Sequence, residues 1–236
     1  MKSSLYLLLF LSAFFAVACS SPTPSPESEA STATVAPEPA ATSPITKPTS
    51  TPTALPTIET PVEVKGCEDA DYPDWETSAY VLPFPVGETY EMGLTNCSSS
   101  YHAKGRNDAL AYDFVMPEGS LITASRAGTV IWVVENGKGR EINNLVVVDH
   151  GDNTYAEYMH LEQDGALVEE GDFVEQGDDI GLSGRTGLAG YPHLHLIVVK
   201  DSPEWPYVGV PINFSNTTPN PHGLATDGTY TALPYK

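Results

Sequence analysis

Two histidines one residue apart, His193 and His195, stand where the glycine-rich run Gly184-Arg185-Thr186-Gly187-Leu188-Ala189-Gly190 gives way to the aliphatic run Leu194-His195-Leu196-Ile197-Val198-Val199. The second run reads as a strand entered from a loop. Side chains at i and i+2 share a strand face, so both imidazoles point one way, roughly 7 Å apart along the chain, while Leu194, Leu196 and Val198 face a core. One imidazole of such a pair can bind a metal while its neighbour works on whatever the metal holds. Two polar residues on a solvated face would look the same, so the other histidines decide.

There are six histidines in all: His102, His150, His160, His193, His195 and His222. In the run 154–160, strand alternation places Ala156, Tyr158 and His160 on one face, with the Tyr158 hydroxyl beside the His160 imidazole. There Tyr158 either packs or offers a hydrogen bond to an oxyanion. In the run 111–115, Asp113 points opposite to Tyr112 and Phe114. A carboxylate framed by two aromatics must find a partner, and either a metal or hydrogen-bond donors satisfy it. His150 closes a strand at a turn and reads as structural, and His222 lies in a Pro- and Asn-rich tail that reads as surface.

The elements that must position these groups are short. Runs at 80–84, 89–94, 111–116, 121–124, 129–134, 144–149, 154–160 and 193–199 are bounded by Gly, Pro, Asn or Asp, with almost no helical periodicity. Evenly spaced short strands predict an all-β barrel or sandwich. Residues 168–181 pack two tight turns close together, as in lipoyl and biotinyl carrier domains. A carrier needs a lysine at its hairpin tip, and none occurs between Lys138 and Lys200, which excludes that reading.

Taken in order, His102, then Tyr112-Asp113-Phe114 with Pro117-x-Gly119, Tyr158-x-His160-Leu161, Gly171-Asp172-x-Val174-x-x-Gly177, Gly184-x-Thr186-Gly187 and His193-Leu194-His195 resemble the lysostaphin-like (LytM) zinc endopeptidases of family M23. The resemblance covers roughly residues 98–200. It implies an antiparallel β fold, a barrel-sandwich hybrid (duplicated hybrid motif) with a groove over the metal. It also implies one zinc ion held by His102, Asp113 and His195, and a catalytic pair in His160 and His193, with no indication of which is the general base. Many family members place the first histidine four residues before the aspartate, whereas His102 precedes Asp113 by eleven, which makes Asp108 a rival ligand. Two histidines and a carboxylate leave the fourth position of zinc open, the arrangement of hydrolytic rather than structural sites. Such an ion lowers the pKa of a water to about 7 and polarises a scissile carbonyl.

The rest of the chain sets the context. Residues 1–19 have one charge at Lys2, an apolar run and small residues before Cys19, which fits a signal peptide; Ala16-Val17-Ala18-Cys19 resembles a bacterial lipobox with Cys19 as the lipidated residue. Ala-x-Ala also fits an ordinary secretory cleavage site. Residues 20–65 are Pro-, Ser- and Thr-rich, too poor in large apolar side chains to fold, and read as a disordered tether that could reach on the order of 100 Å. The peptidase-like domain is then 66–236. In an exported chain Cys67 and Cys97 are available for a disulfide, two unpaired buried thiols being the other reading.

The formal charge is -20. Lys2 adds one positive charge and residues 20–66 hold five acids against two lysines, so -18 falls from Cys67 onward. A domain this acidic is repelled by phosphate backbones, and nucleic acid is not an expected partner. The expected function is therefore zinc-dependent endopeptidase action on peptide cross-links of bacterial peptidoglycan, by a monomer held at the extracytoplasmic side of a membrane through lipid on Cys19. The alternative is an inactive module of the same fold that binds the wall or regulates other wall hydrolases, whose hallmark would be missing histidines.

Overall fold

The computed structural model describes residues 66–235, which lie within one compact unit. The leader, Cys19 and the tether fall outside the described residues. Twelve strands occur in them: β1 (Thr89–Met92), β2 (Tyr112–Val115), β3 (Leu121–Thr123), β4 (Gly128–Val134), β5 (Leu145–Asp149), β6 (Thr154–Met159), β7 (Leu161–Ala166), β8 (Phe173–Val174), β9 (Asp179–Ser183), β10 (Leu194–Lys200), β11 (Val208–Gly209) and β12 (Thr229–Thr231). The described helical turns are three short 3-10 segments.

All strand pairings are antiparallel. One sheet runs β12-β1-β2-β10-β6-β5-β4-β8 with β11 attached to β10, and a second runs β3-β9-β7. The fold is thus all-β with sandwich-like sheets, as expected, but the larger sheet ends at β12 and β8 and does not close into a barrel.

Period-two alternation builds the core. Tyr112 and Phe114 of β2, Leu194, Leu196 and Val198 of β10, Ala156 and Tyr158 of β6, and Val146 and Val148 of β5 project to one side of the large sheet. There they meet Ile122 of β3, Ile180 of β9 and Leu161 of β7 in one cluster. Each large aliphatic or aromatic side chain so buried contributes about 1.5–3 kcal/mol. The intervening residues, among them Asp113, His195 and Ile197, emerge on the opposite side of that sheet. A smaller cluster of Ala111, Met159, Ile197, Val199 and Tyr207 packs there.

Two departures from the expected elements have physical causes. Residues 80–84 are buried yet form no strand, because their backbone groups are satisfied elsewhere: Val81 N–H donates to the Ser125 carbonyl and Leu82 N–H to Asn216 Oδ1. Conversely, β7 and β9 contain Gly165 and Gly181 and several charged residues, so neither shows an apolar run. Gly181 is needed there, since an added Cβ would lie 2.7 Å from Leu161 Cδ2 in the neighbouring strand. Cys67 and Cys97 form a disulfide with their Cα atoms 5.1 Å apart, which ties the start of the domain to the loop that leads to His102.

Candidate metal centre

Strand register brings the first two functional side chains together. Asp113 of β2 lies directly opposite His195 of β10. The backbone of Asp113 is locked by its N–H donating to the Leu94 carbonyl and its own carbonyl accepting from Gly93 N–H, both at 2.8 Å. Its Oδ1 is 2.8 Å from His195 Nδ1. His102 enters from the 3-10 turn Ser100–His102 and places Nε2 3.2 Å from the same oxygen. Single ligand atoms of His102, Asp113 and His195 all lie within 4.8 Å of one another, and all three residues are buried. Ligand atoms about 2.0–2.1 Å from a tetrahedral zinc ion stand roughly 3.3 Å apart, so this set of two nitrogens and one oxygen fits that ion.

His160 reaches the site by breaking the strand pattern. It directly follows β6 at φ 67°, in the left-handed region, and this turns its side chain away from the face that alternation assigns to it. Asn143 Oδ1 accepts from its N–H at 2.9 Å, and His160 Nδ1 donates to the Thr186 carbonyl at 2.8 Å. His193 Nδ1 donates in the same way to the Tyr191 carbonyl at 2.8 Å. A carbonyl only accepts, so each Nδ1 carries the proton and each Nε2 is the free nitrogen. The two rings stand with centroids 4.7 Å apart, and His193 Nε2 is 3.6 Å from Asp113 Oδ1. His160, His193 and His195 form a second group whose donor atoms lie within 4.8 Å, so His195 is common to both groups.

Burial, with the neighbouring His195 and His193 imidazoles, pushes His160 down to about 3, and burial lowers His193 as well. Both are therefore neutral at pH 7, the state in which Nε2 can accept a proton. Burial opposes protonation of His195 too, but Asp108 and Asp113 outweigh it and lift that imidazole to about 10. For Asp113 burial is likewise outweighed, by hydrogen bonds from His102 and His195, which hold it well below the usual carboxylate range.

Tyr158 corrects the sequence expectation. Its ring is fully buried in the core, and its Oη accepts from the Ser125 N–H at 2.8 Å, so it offers nothing to an oxyanion. Asp108 contributes to neither group of converging donors. Its Oδ1 instead accepts from Tyr207 Oη and lies 3.7 Å from His195 Nε2. Tyr207, Tyr191, Asn143 and Thr186 are the supporting residues that sequence reasoning missed. Thr186 lies in the Gly-x-Thr-Gly motif and Tyr191 stands just before His193, whereas nothing local marks Tyr207. His150 donates from Nδ1 to the Ala127 carbonyl and packs on Tyr80, a structural role, and His222 is exposed.

Over these groups lies a groove of about 480 Å³, walled by Leu94, Tyr101, Arg140, Leu188 and Tyr191 among others. Beneath it Glu157 of β6 is buried with Oε1 lacking a hydrogen-bond partner, and burial pushes its carboxyl up to about 8. The folded protein thus keeps a proton that the unfolded chain loses near 4.5; the stability this contributes is complete below that pH and is lost as pH rises through about 8. Glu157→Gln, which cannot ionise, is expected to change the stability of chelator-treated protein little at about pH 4.5 and to stabilise it increasingly towards about pH 8. Urea unfolding of parent and variant at the two pH values measures this, and a pH-independent difference would contradict it.

Residues 108–206 match the family model described as Peptidase family M23. This stretch is an M23 peptidase domain. The match takes in Asp113, His160, His193 and His195, while His102 lies six residues before it and is brought to the site by the turn described above. Among solved structures, the M23 domain is similar to a zinc-containing peptidase from Vibrio cholerae, with 28% identity over 51% of this chain and 37% of that one and a TM-score of 0.40. It is also similar to the catalytic domain of a mutant of the prophage-encoded M23 protein EnpA from Enterococcus faecalis (24%, 55% and 94%, 0.44). A third similar structure is the antimicrobial peptidase lysostaphin from Staphylococcus simulans (24%, 49% and 44%, 0.39). The chain thus spans little more than a third of the Vibrio protein and less than half of lysostaphin. No match is found among curated protein sequences.

Proposed function

We propose that the M23 domain is a zinc-dependent endopeptidase that hydrolyses peptide cross-links of bacterial peptidoglycan. His102, Asp113 and His195 would hold the ion, through His102 Nε2, Asp113 Oδ1 and His195 Nδ1. The observation that carries this reading is the convergence of those donors beside two imidazoles whose free Nε2 atoms border the same space. Zinc bound there supplies Lewis acidity toward a peptide carbonyl and acidifies a water.

The chain's own groups do the rest. The neutral Nε2 of one of the pair, His160 or His193, takes a proton from the attacking water and returns it to the leaving amine; the other ring can support the developing oxyanion only when its Nε2 is itself protonated. The Thr186 and Tyr191 carbonyls hold both rings in the tautomer that leaves Nε2 free to take a proton. The groove above accepts an extended peptide and confines it over the donors. The hallmark of an inactive module would be missing histidines, and the presence of all five residues favours the enzyme.

We place the enzyme outside the cytoplasm on a lipid carried by Cys19, with residues 20–65 as the spacer between membrane and wall. Mass spectrometry of the mature N-terminus checks this; an unmodified Cys19 amine would contradict it. For the activity, the purified domain is expected to contain about one zinc per chain. It should release free amines from purified peptidoglycan, lose that activity on chelation and regain it with zinc. Hydrolysis that persists in metal-free protein would defeat the proposal.

A further inference from the structure

His195 has a second nitrogen that the reaction does not use. With Nδ1 turned to Asp113, Nε2 points to the other side of the ring, where it is buried without a hydrogen-bond partner. A neutral imidazole that gives its Nδ1 lone pair to a metal must carry its proton on Nε2. The group standing there is Asp108, with Oδ1 3.7 Å away, facing the nitrogen from somewhat beyond a hydrogen-bond distance of about 2.9 Å.

Asp108 is itself held. It sits in the 3-10 turn Asn107–Leu110, and its Oδ1 accepts from Tyr207 Oη. The neighbouring Asn107 donates from Nδ2 to the Tyr207 backbone carbonyl at 2.8 Å, so the turn and the segment after β10 are joined at two points. Tyr207 also packs with Ile197 and Met159 on the site face of the sheet, which fixes its hydroxyl.

We propose that Asp108, braced by Tyr207, is the positioning residue for His195: it selects the tautomer with Nδ1 free, fixes the ring, and strengthens that nitrogen as a metal donor. A carboxylate on the far side of a metal-binding imidazole has these effects, and its loss typically weakens metal affinity about 10–100-fold. The inference rests on the reading of His195 as a zinc ligand. It reassigns Asp108, a rival for the metal by sequence, to the outer side of the ligand.

The test is the zinc affinity of the purified protein, measured by competition with a chromophoric chelator, together with the absorption spectrum of the cobalt(II)-substituted form. Asp108→Ala is expected to lose about 10–100-fold in affinity and to shift the cobalt bands. Asp108→Asn keeps an acceptor oxygen without the charge and should recover part of the loss. Tyr207→Phe should change affinity in the same direction by less, and serves as the test if the Asp108 variants fold poorly. Glu157, a buried acid near His195 that is neither Asp108 nor the ligand Asp113, is controlled by Glu157→Gln, which should bind zinc as the parent does. A folded Asp108→Ala protein within about twofold of the parent, with unchanged cobalt bands, would overturn the proposal. So would a loss that follows Glu157→Gln in place of Asp108→Ala. A parent protein that takes up no zinc would instead remove His195 as a ligand, and this role of Asp108 with it.

Discussion

His195→Ala is expected to leave the purified protein with essentially no zinc and no hydrolysis of peptidoglycan above background. The reason is the shared position of this side chain. His195 belongs both to the group with His102 and Asp113 and to the group with His160 and His193, so its removal leaves no triad of donors among the described residues. His102→Ala is a milder change, since the three-imidazole group survives it. Zinc measured by plasma emission spectrometry and amine release from purified walls report the two losses separately. The variant must also be folded. His195 is flanked in β10 by Leu194 and Leu196, whose burial on the opposite face of the sheet is independent of the imidazole, so near-native circular dichroism is expected. A folded, zinc-free His195→Ala protein that still cleaves peptides would remove the metal from the mechanism altogether.

How far the sequence foretells this centre depends on which physical rule places each residue. Asp113 and His195 are legible because strand alternation alone sends them away from Tyr112, Phe114, Leu194 and Leu196, and burial of those neighbours fixes the direction. His160 is legible as a histidine of the motif but not in its orientation. Alternation assigns it the face of Tyr158, and only the left-handed backbone at His160, with Asn143 accepting from its N–H, reverses that. The same error made Tyr158 look like a site residue when its ring fills the core. Tyr207 could not be found at all, because its link to Asp108 joins residues 99 apart and carries no local pattern. The strands follow a similar rule. Apolar alternation announced β4, β5, β6 and β10, whereas β7 and β9 are held by ladder hydrogen bonds and close packing across glycine, which leave little trace in hydropathy.

His193→Ala gives the sharpest separation of binding from chemistry. Its Nε2 belongs to the neighbouring pair and not to the group of His102, Asp113 and His195, so zinc content is expected to stay near that of the parent. Turnover, by contrast, should fall about 10²–10⁴-fold, the usual contribution of a positioned acid or base. His160→Ala should behave in the same way, and the double variant should lose far less than the product of the two single losses, because residues that act as a unit are not additive. The hydrogen bonds to Thr186 and Tyr191 make the comparison informative: each ring is held from its Nδ1 side, so each truncation removes one Nε2 without releasing the other ring. Multiplicative losses would mean that the two imidazoles serve separate steps. A His193→Ala protein that loses its zinc would make His193 a ligand, leaving His160 as the one free imidazole bordering the ion.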